Sequence, residues 1–343
     1  MRRWTSGLLT AIATLAGALS ATAEASPLPA NFLPDAIADF NVITNGNFTQ
    51  NNDVNGPVLV GGNLISSGHP INSTSVVPLP QPITGLGEVN VFGSVSGSVN
   101  QSVGGGSVVL VGGTTPSVIT FTGKNTALSV LNGNVFPYTF SDIWAQMTGM
   151  ASSLGSLAPT YTVTSTTLDG IPNASGVAVL TVPLSTLNNL SGLLNFTGCL
   201  SLSNPTCDAV ILVTNDDPNN TTFHQGFNYG GLTAAQQNLI WVFEAPGSGT
   251  PGITGVNINT EWWSSVLATG ADVENTAPIV GNTIANTVDS SGGNGEFHVP
   301  VFDCSDNLCS SMTAPPNGVP EPGSLALLAT GLGVFAVIRR RRA

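Results

Sequence analysis

Short apolar pieces separated by glycine or asparagine corners dominate the first half of the chain. They run as Val58-Leu59-Val60-Gly61-Gly62-Asn63-Leu64-Ile65, Val89-Asn90-Val91-Phe92-Gly93-Ser94-Val95, Val108-Val109-Leu110-Val111-Gly112-Gly113, Val118-Ile119-Thr120-Phe121 and Leu128-Ser129-Val130-Leu131-Asn132-Gly133. Pieces of this length suit strands, and the corner residues tolerate positive φ, so the chain can turn every few residues. The pattern predicts a mainly β protein: an irregular right-handed parallel β-solenoid, or β-helix, with Val, Ile and Leu stacked inward and Ser, Thr and Asn outward. An antiparallel β-sandwich with tight hairpins is the alternative. The shortness and closeness of the pieces favour the coil. No fixed period is visible, so the coils must be irregular.

One flanking α-helix is expected from Phe140 to about Leu157. Ile143, Met147, Met150 and Leu154 make a single apolar stripe, and Ser141 or Asp142 can cap its start. Asp35 is a plausible N-cap for one further helical turn before Phe40. Strands resume in Tyr161–Thr164, Val177–Val182 and Ala209–Val213.

Charge narrows the function. Between Ser26 and Gly318 there is one base, Lys124, against 17 Asp and Glu. Nucleic-acid binding needs many cations to displace counterions, and nucleotide or anionic-lipid binding needs several, so these classes are excluded. Hydrophobic residues make up 41% of the chain, which excludes general disorder.

The two ends read as addresses. Arg2-Arg3, an apolar run from Gly7 to Leu19 and the small residues Ala21-Thr22-Ala23 make a secretory signal over 1–25, with cleavage after Ala23 or, less favoured, Ala25. Four cysteines behind such a signal suggest disulfides, with local pairs Cys199–Cys207 and Cys304–Cys309 favoured because each closes a short loop. A zinc site is the rival, and the spacings do not suit it. The last residues are Val319-Pro320-Glu321-Pro322, an apolar run from Gly323 to Ile338, then Arg339, Arg340, Arg341 and Arg342. This resembles the PEP-CTERM sorting signal of Gram-negative bacteria. The resemblance implies transient inner-membrane insertion of 319–343, recognition by an exosortase-like enzyme, and a cell-surface or matrix destination beside exopolysaccharide. The intervening 26–318 is then the extracellular domain.

A second resemblance covers scattered blocks of that domain. Phe40-Asn41-Val42, Asn55-Gly56-Pro57-Val58-Leu59-Val60-Gly61-Gly62-Asn63-Leu64, Ile240-Trp241-Val242-Phe243, Trp262-Trp263-Ser264-Ser265-Val266-Leu267, Val280-Gly281-Asn282-Thr283-Ile284 and Gly295-Glu296-Phe297-His298 resemble the choice-of-anchor A domain. The resemblance implies a fold like the ice-binding-like adhesive β-solenoid, with collagen-binding adhesins among the relatives. Leu267-Ala268-Thr269-Gly270-Ala271 and Trp241-Val242-Phe243 depart from the usual pattern, and neither departure settles the ligand.

Catalytic groupings are sparse. His69, His224 and His298 are scattered; Glu296 and His298 would share one side of a strand, with no third ligand local to them. Asp216–Asp217 and Asp272 with Glu274 are paired acids, which keeps open a β-helical polysaccharide hydrolase if two carboxylates face each other across a groove. Asn215–Asn220 is rich in oxygen ligands, but an Asx turn explains it better than calcium. No metal or cofactor is expected. Thr160–Thr167 does not repeat at a coil period, as a flat ice-binding face would. Of Trp262 and Trp263, a strand would turn one inward and one outward to a ligand. The sequence therefore points to a non-enzymatic exported adhesive protein that binds polysaccharide or matrix protein. A purely structural matrix component is the alternative.

Overall fold

In the computed structural model, residues 26–71, 83, 85–102, 108–114, 118–122, 129–132, 136–201, 207–229, 236–245, 251–299, 302 and 308 are described. Helix α1 (Phe32–Asp39) leads into β1 (Val42–Thr44), β2 (Phe48–Gln50), β3 (Val58–Val60), β4 (Leu64–Ile71), β5 (Val89–Val91), β6 (Val95–Ser102), β7 (Val108–Val111), β8 (Val118–Thr122) and β9 (Ser129–Asn132). Helix α2 (Phe140–Gly155) separates these from β10 (Tyr161–Thr162), β11 (Thr167–Gly170) and β12 (Val177–Pro183). Helix α3 (Leu184–Asn189) then precedes β13 (Gly192–Leu193), β14 (Asn195–Gly198), β15 (Asp208–Thr214), β16 (Thr222–His224), β17 (Phe227–Asn228) and β18 (Gln236–Phe243). The chain continues through β19 (Gly255–Ile258), β20 (Ser264–Asn275), β21 (Ile279–Val280), β22 (Thr283–Asp289) and β23 (Phe297–His298). Among the described residues three helices, not one, accompany the strands.

Every pairing between these strands is parallel, which removes the sandwich alternative. Strands two apart in sequence are neighbours: β1–β3–β5–β7–β9 make one ladder and β2–β4–β6–β8 a second. From the other end β12–β15–β18 and the first halves of β20 and β22 extend the first ladder, with β22 pairing with β1, while β16–β19 and the second halves of β20 and β22 extend the second, with β22 pairing with β2. The N-terminal strand therefore sits in the middle of the ladder, flanked by the last long strand.

The glycine corners work by backbone contact. Gly62 N–H donates to the Gly46 carbonyl at 2.9 Å, Gly93 to Gly62 at 3.0 Å and Gly113 to Gly93 at 2.8 Å. Beside them Asn63 N–H donates to Asn47 Oδ1 and Ser94 N–H to Asn63 Oδ1, both at 2.9 Å. Successive corners lie 16, 31 and 20 residues apart at Gly46, Gly62, Gly93 and Gly113, hence the missing period. Gln50 and Gln225 pin other turns from inside: Gln50 donates to Asn52 O and His69 O, and Gln225 to Phe227 O.

Two apolar cores follow from strand alternation. Val58 and Val60 enter the inner core with Trp241, Phe243, Phe48 and Trp262. Between them Leu59 points the other way, to a second core with Ile43, Ile284, Leu267, Val242 and Leu212. That outer stripe is closed by the helices, through Phe32, Leu33, Ala36 and Ile37 of α1 and Ile143, Met147, Met150 and Leu154 of α2. The four α2 residues are the expected stripe, and all are fully buried. The 16 residues of α2 span ~24 Å, matching five strand spacings of ~4.8 Å. Its first residue, Phe140, meets Phe92 and lies over Gly61, and the helix also packs on β15, β18 and β20. The cap is Thr139, not Ser141 or Asp142: Thr139 Oγ1 accepts from Asp142 N–H and donates to Asp142 Oδ2 at 2.5 Å.

Helix α1 begins one turn earlier than Asp35, with Asn31 at its N-cap position, so Asp35 lies in its first turn. Asp39 at its end is an anomaly. Its carboxylate is buried, and neither oxygen has a hydrogen-bond partner. Burial, then the neighbouring Asp35, pushes its pKa up to about 7. The folded chain therefore holds a proton that the unfolded chain releases above its ordinary value of 3.8. Stability from this group is complete in acid and is lost as pH rises towards 7. Asp39→Asn is expected to raise stability at pH 8 by about 2–4 kcal/mol and to flatten the decline between pH 5 and 8. Thermal unfolding at the two pH values checks this; an unchanged pH profile in the variant would contradict it.

Candidate functional site

A third set of parallel contacts gathers residues from distant parts of the chain. Trp262 bridges Ile279, Ile279 pairs with Phe297, and Phe297 bridges Val54, which bridges Ile71. All five side chains are fully buried. Their neighbours on either side therefore point away from that core, in two ranks, although Val280 is itself buried. One rank runs Trp263, Val280, His298, Asn55. The other runs Glu261, Pro278, Glu296, Asp53. Adjacent members of a rank are ~4.8 Å apart, the spacing of paired strands.

This placement divides the tryptophan pair. Trp262 is fully buried against Phe223, Phe227, Tyr229 and Trp241, with ring centroids 5.0–5.9 Å away. It is a core residue and is removed from the ligand contacts. Beside it the Tyr229 hydroxyl pairs with Ser264 Oγ at 2.8 Å, and complete burial pushes the phenol far above its ordinary range. Trp263 is half-buried and packed against the inner core.

Glu296 and His298 lie on one side of their strand, as the spacing suggested, with Glu296 Oε2 3.0 Å from His298 Nε2. The third partner comes from afar: Asn55 Nδ2 lies 2.6 Å from His298 Nδ1. With the amide donating, Nδ1 is the acceptor and the ring proton sits on Nε2, facing the carboxylate. Asn41 adds a bond to the His298 carbonyl at 3.2 Å. Close by in the stack, His69 Nδ1 stands 3.4 Å from Asp53 Oδ1, with both side chains largely exposed. No serine, threonine or cysteine nucleophile contacts this array among the described bonds.

The remaining candidates have other duties. Asp216 accepts from Ser185 N–H at 2.9 Å and from the Ser185 hydroxyl, holding the start of α3 and keeping its own carboxyl below the ordinary range. Asn215 Oδ1 accepts from Asp217 N–H and Asp217 Oδ1 from Asn219 N–H, each at 2.9 Å, which are Asx turns. Asp272 and Glu274 alternate along β20 and point outward from the second ladder, with Asp289 opposite Glu274. They share one strand face rather than opposing one another across a groove. His224 is exposed on the same ladder, 3.2 Å from Asn257 Nδ2. Among the described residues no group of three His, Cys, Asp or Glu could hold a metal ion. Cys199 and Cys207 are joined in a disulfide, as their spacing suggested. Cys304, Cys309, Lys124, Ala21, Ala23, Val319, Pro320, Glu321, Pro322, Arg339, Arg340, Arg341 and Arg342 lie outside the described residues. No described helix is long and apolar enough to cross a membrane.

The family model described as "Putative Ice-binding-like adhesive domain" matches residues 34–299, well over half of the chain. The chain belongs to the ice-binding-like adhesive domain family. The matched region opens in α1 and closes just after β23, so the adhesive domain includes the whole third set of contacts. A PEP-CTERM protein-sorting motif matches residues 318–342, directly behind the adhesive domain, and marks an exported, surface-sorted protein. The adhesive-domain family implied by the choice-of-anchor A resemblance is thus found, although the match does not carry that narrower name. No curated protein and no solved structure matched the chain.

Sequence reasoning missed Asn55 and Asp53 as site residues. The Asn55-Gly56-Pro57 turn reads locally as a corner. Its partner His298 lies 243 residues away, and only the strand register brings them together.

Proposed function

We propose that this is a non-enzymatic adhesin that is exported through its 1–25 signal, anchored transiently in the inner membrane by 319–343 and sorted by an exosortase-like enzyme. Residues 26–318 form the extracellular domain, wound as a right-handed solenoid whose coils follow the parallel ladders. The host is a Gram-negative bacterium, and the destination is the cell surface or exopolysaccharide matrix. The domain holds polysaccharide or matrix protein. The observation that carries this reading is the rank that brings the partly exposed Trp263, His298 and Asn55 together. A half-buried indole beside an amide, an imidazole and carboxylates provides one stacking surface and several hydrogen-bonding groups, the mixture that polar polymers need. The acids of the second ladder share one face rather than opposing one another across a groove, so the arrangement supports binding better than hydrolysis.

The test is adhesion of cells that display the full chain to surfaces coated with polysaccharide or collagen. The expected result is saturable adhesion that falls about tenfold or more in Trp263→Ala, as for an interface anchor. Replacing Val319–Pro322 with alanines is expected to leave the chain in the inner-membrane fraction. Wild-type cells that adhere to no coating, while carrying folded chain on the surface, would replace the adhesin with a purely structural matrix role.

A further inference from the structure

We propose that Phe302 and Leu308 form a clasp that closes the folded domain, and that the closed clasp leaves the sorting signal on a tether of ten residues, 309–318. The proposal rests on the sorting reading above and adds its geometric control. The matched adhesive domain ends at residue 299, and the matched sorting motif begins at 318. Burial continues past the first boundary. Phe302 is 1% exposed and Leu308 is fully buried, and both belong to the outer core that holds α1. Phe302 N–H donates to Asn282 Oδ1 at 2.5 Å, and the same amide donates to Ile37 O and Phe40 O at the end of α1. One side chain therefore fastens both the first helix and the stretch beyond β23.

The Asn282 end of this clasp lies where the two ends of the domain meet. Strand β22 covers one edge of β1 and of β2, and Phe297 bridges Val54, so all three sets of parallel contacts join there. Asn41 Nδ2 crosses the same seam, to Gly281 O at 2.7 Å and His298 O at 3.2 Å. The edges of β1 and β2 that face β22 stay open until residues 283–289 are present, so the seam cannot close before the chain beyond them has been made. Ten residues reach ~35 Å when fully extended, and releasing Phe302 and Leu308 would add the nine residues 300–308 and nearly double that reach. With 323–338 in the membrane, the Val319–Pro322 motif is met at the membrane surface, and the folded domain stands off no further than its tether allows. Closure of the clasp thus sets the distance at which the sorting enzyme works.

The first test is limited proteolysis of the full chain in detergent with proteinase K, the fragments being read by mass spectrometry. The clasp predicts a resistant fragment that keeps Phe302 and Leu308 and loses the sorting signal through cuts within 309–318. A first cut within 300–307 would overturn the clasp. Phe302→Ala combined with Leu308→Ala, which empties two buried positions, should move the cut into that stretch. The second test is sorting in cells. Deleting Ser311–Pro315 leaves five residues, ~18 Å of reach, and the sorted fraction should fall about tenfold or more. Five glycine and serine residues in their place should restore it. So should Phe302→Ala with Leu308→Ala in the shortened chain, by releasing the clasp. Normal sorting of the shortened chain, or no recovery with the glycine and serine replacement, would overturn the tether. A wild-type chain that is never sorted would overturn the sorting reading and the tether with it, and proteolysis would still decide the clasp.

Discussion

Gly93→Ala is expected to cost about 3 kcal/mol or more of folding stability, although it adds a single methyl group near the surface. A Cβ at Gly93 would lie 2.4 Å from the Gly62 carbonyl oxygen and 2.7 Å from its carbon, and both are backbone. Neither can swing aside as a side chain would. To relieve the clash the two corners must separate, which breaks the Gly93 N–H to Gly62 bond and the adjoining Ser94 N–H to Asn63 Oδ1 bond. Gly62 faces the same contact with Gly46, so the strain would spread along the stack. Gly155→Ala is the control: a Cβ there meets nothing within 4 Å, and stability should change by about 0.5 kcal/mol or less. Denaturant unfolding followed by circular dichroism measures both. A loss at Gly93 as small as that at Gly155 would contradict the backbone-contact account of the corners.

Asn282→Ala is expected to be comparably damaging, by about 3 kcal/mol, for a different reason. The Asn282 side chain is buried and binds three separate segments. Its Nδ2 donates to Ile37 O at 2.7 Å and to Phe40 O at 2.5 Å, fastening the end of α1. Its Oδ1 accepts from Ser265 Oγ at 3.0 Å and from Phe302 N–H at 2.5 Å. Alanine would remove all four bonds; Ser265 Oγ would keep the bond from the residue's own N–H, but Ile37 O, Phe40 O and Phe302 N–H would lose this partner in an apolar setting, where each loss is costly. The exposed Asn45 makes one side-chain bond, to Asn286 at 3.2 Å, and Asn45→Ala should cost about 0.5 kcal/mol or less. Hydrogen exchange distinguishes the mechanism. Amides of residues 32–40 should exchange faster in Asn282→Ala, while those of β5 and β7 keep their protection. Uniform loss of protection would mean that Asn282 does not act through α1.

Much of the local structure was legible because it depends on local pattern. The α2 stripe at Ile143, Met147, Met150 and Leu154 needs only the helical repeat, and the strand pieces need only alternation and corners. Pairing of Cys199 with Cys207 followed from short separation. The cap of α2 was misplaced by two or three residues because Thr139, Ser141 and Asp142 are all competent cap residues, and only the backbone at Thr139 is extended. The helix before β1 was expected as one turn, since Pro29 and Pro34 mask its start. The pairing of β22 with β1 was not legible, because neither strand records its partner. The same holds for the site. Trp263, His298 and Asn55 each sit in an ordinary-looking strand or turn, and their common rank depends on register across more than 200 residues.

Asp39 shows a related limit. An aspartate near a helix end reads as solvated, whereas the fold buries it beside Asp35 and away from any partner. Its protonation then becomes part of the stability of α1.

The most direct test of the central claim compares two faces of the same folded chain. Cells displaying the full chain would carry Trp263→Ala on the third set of contacts or Asp289→Asn on the second ladder, with equal surface display verified by antibody. The account predicts that adhesion to the bound polymer is lost in Trp263→Ala and retained in Asp289→Asn. Adhesion that survives Trp263→Ala and disappears in Asp289→Asn would contradict it and move the binding face to the second ladder.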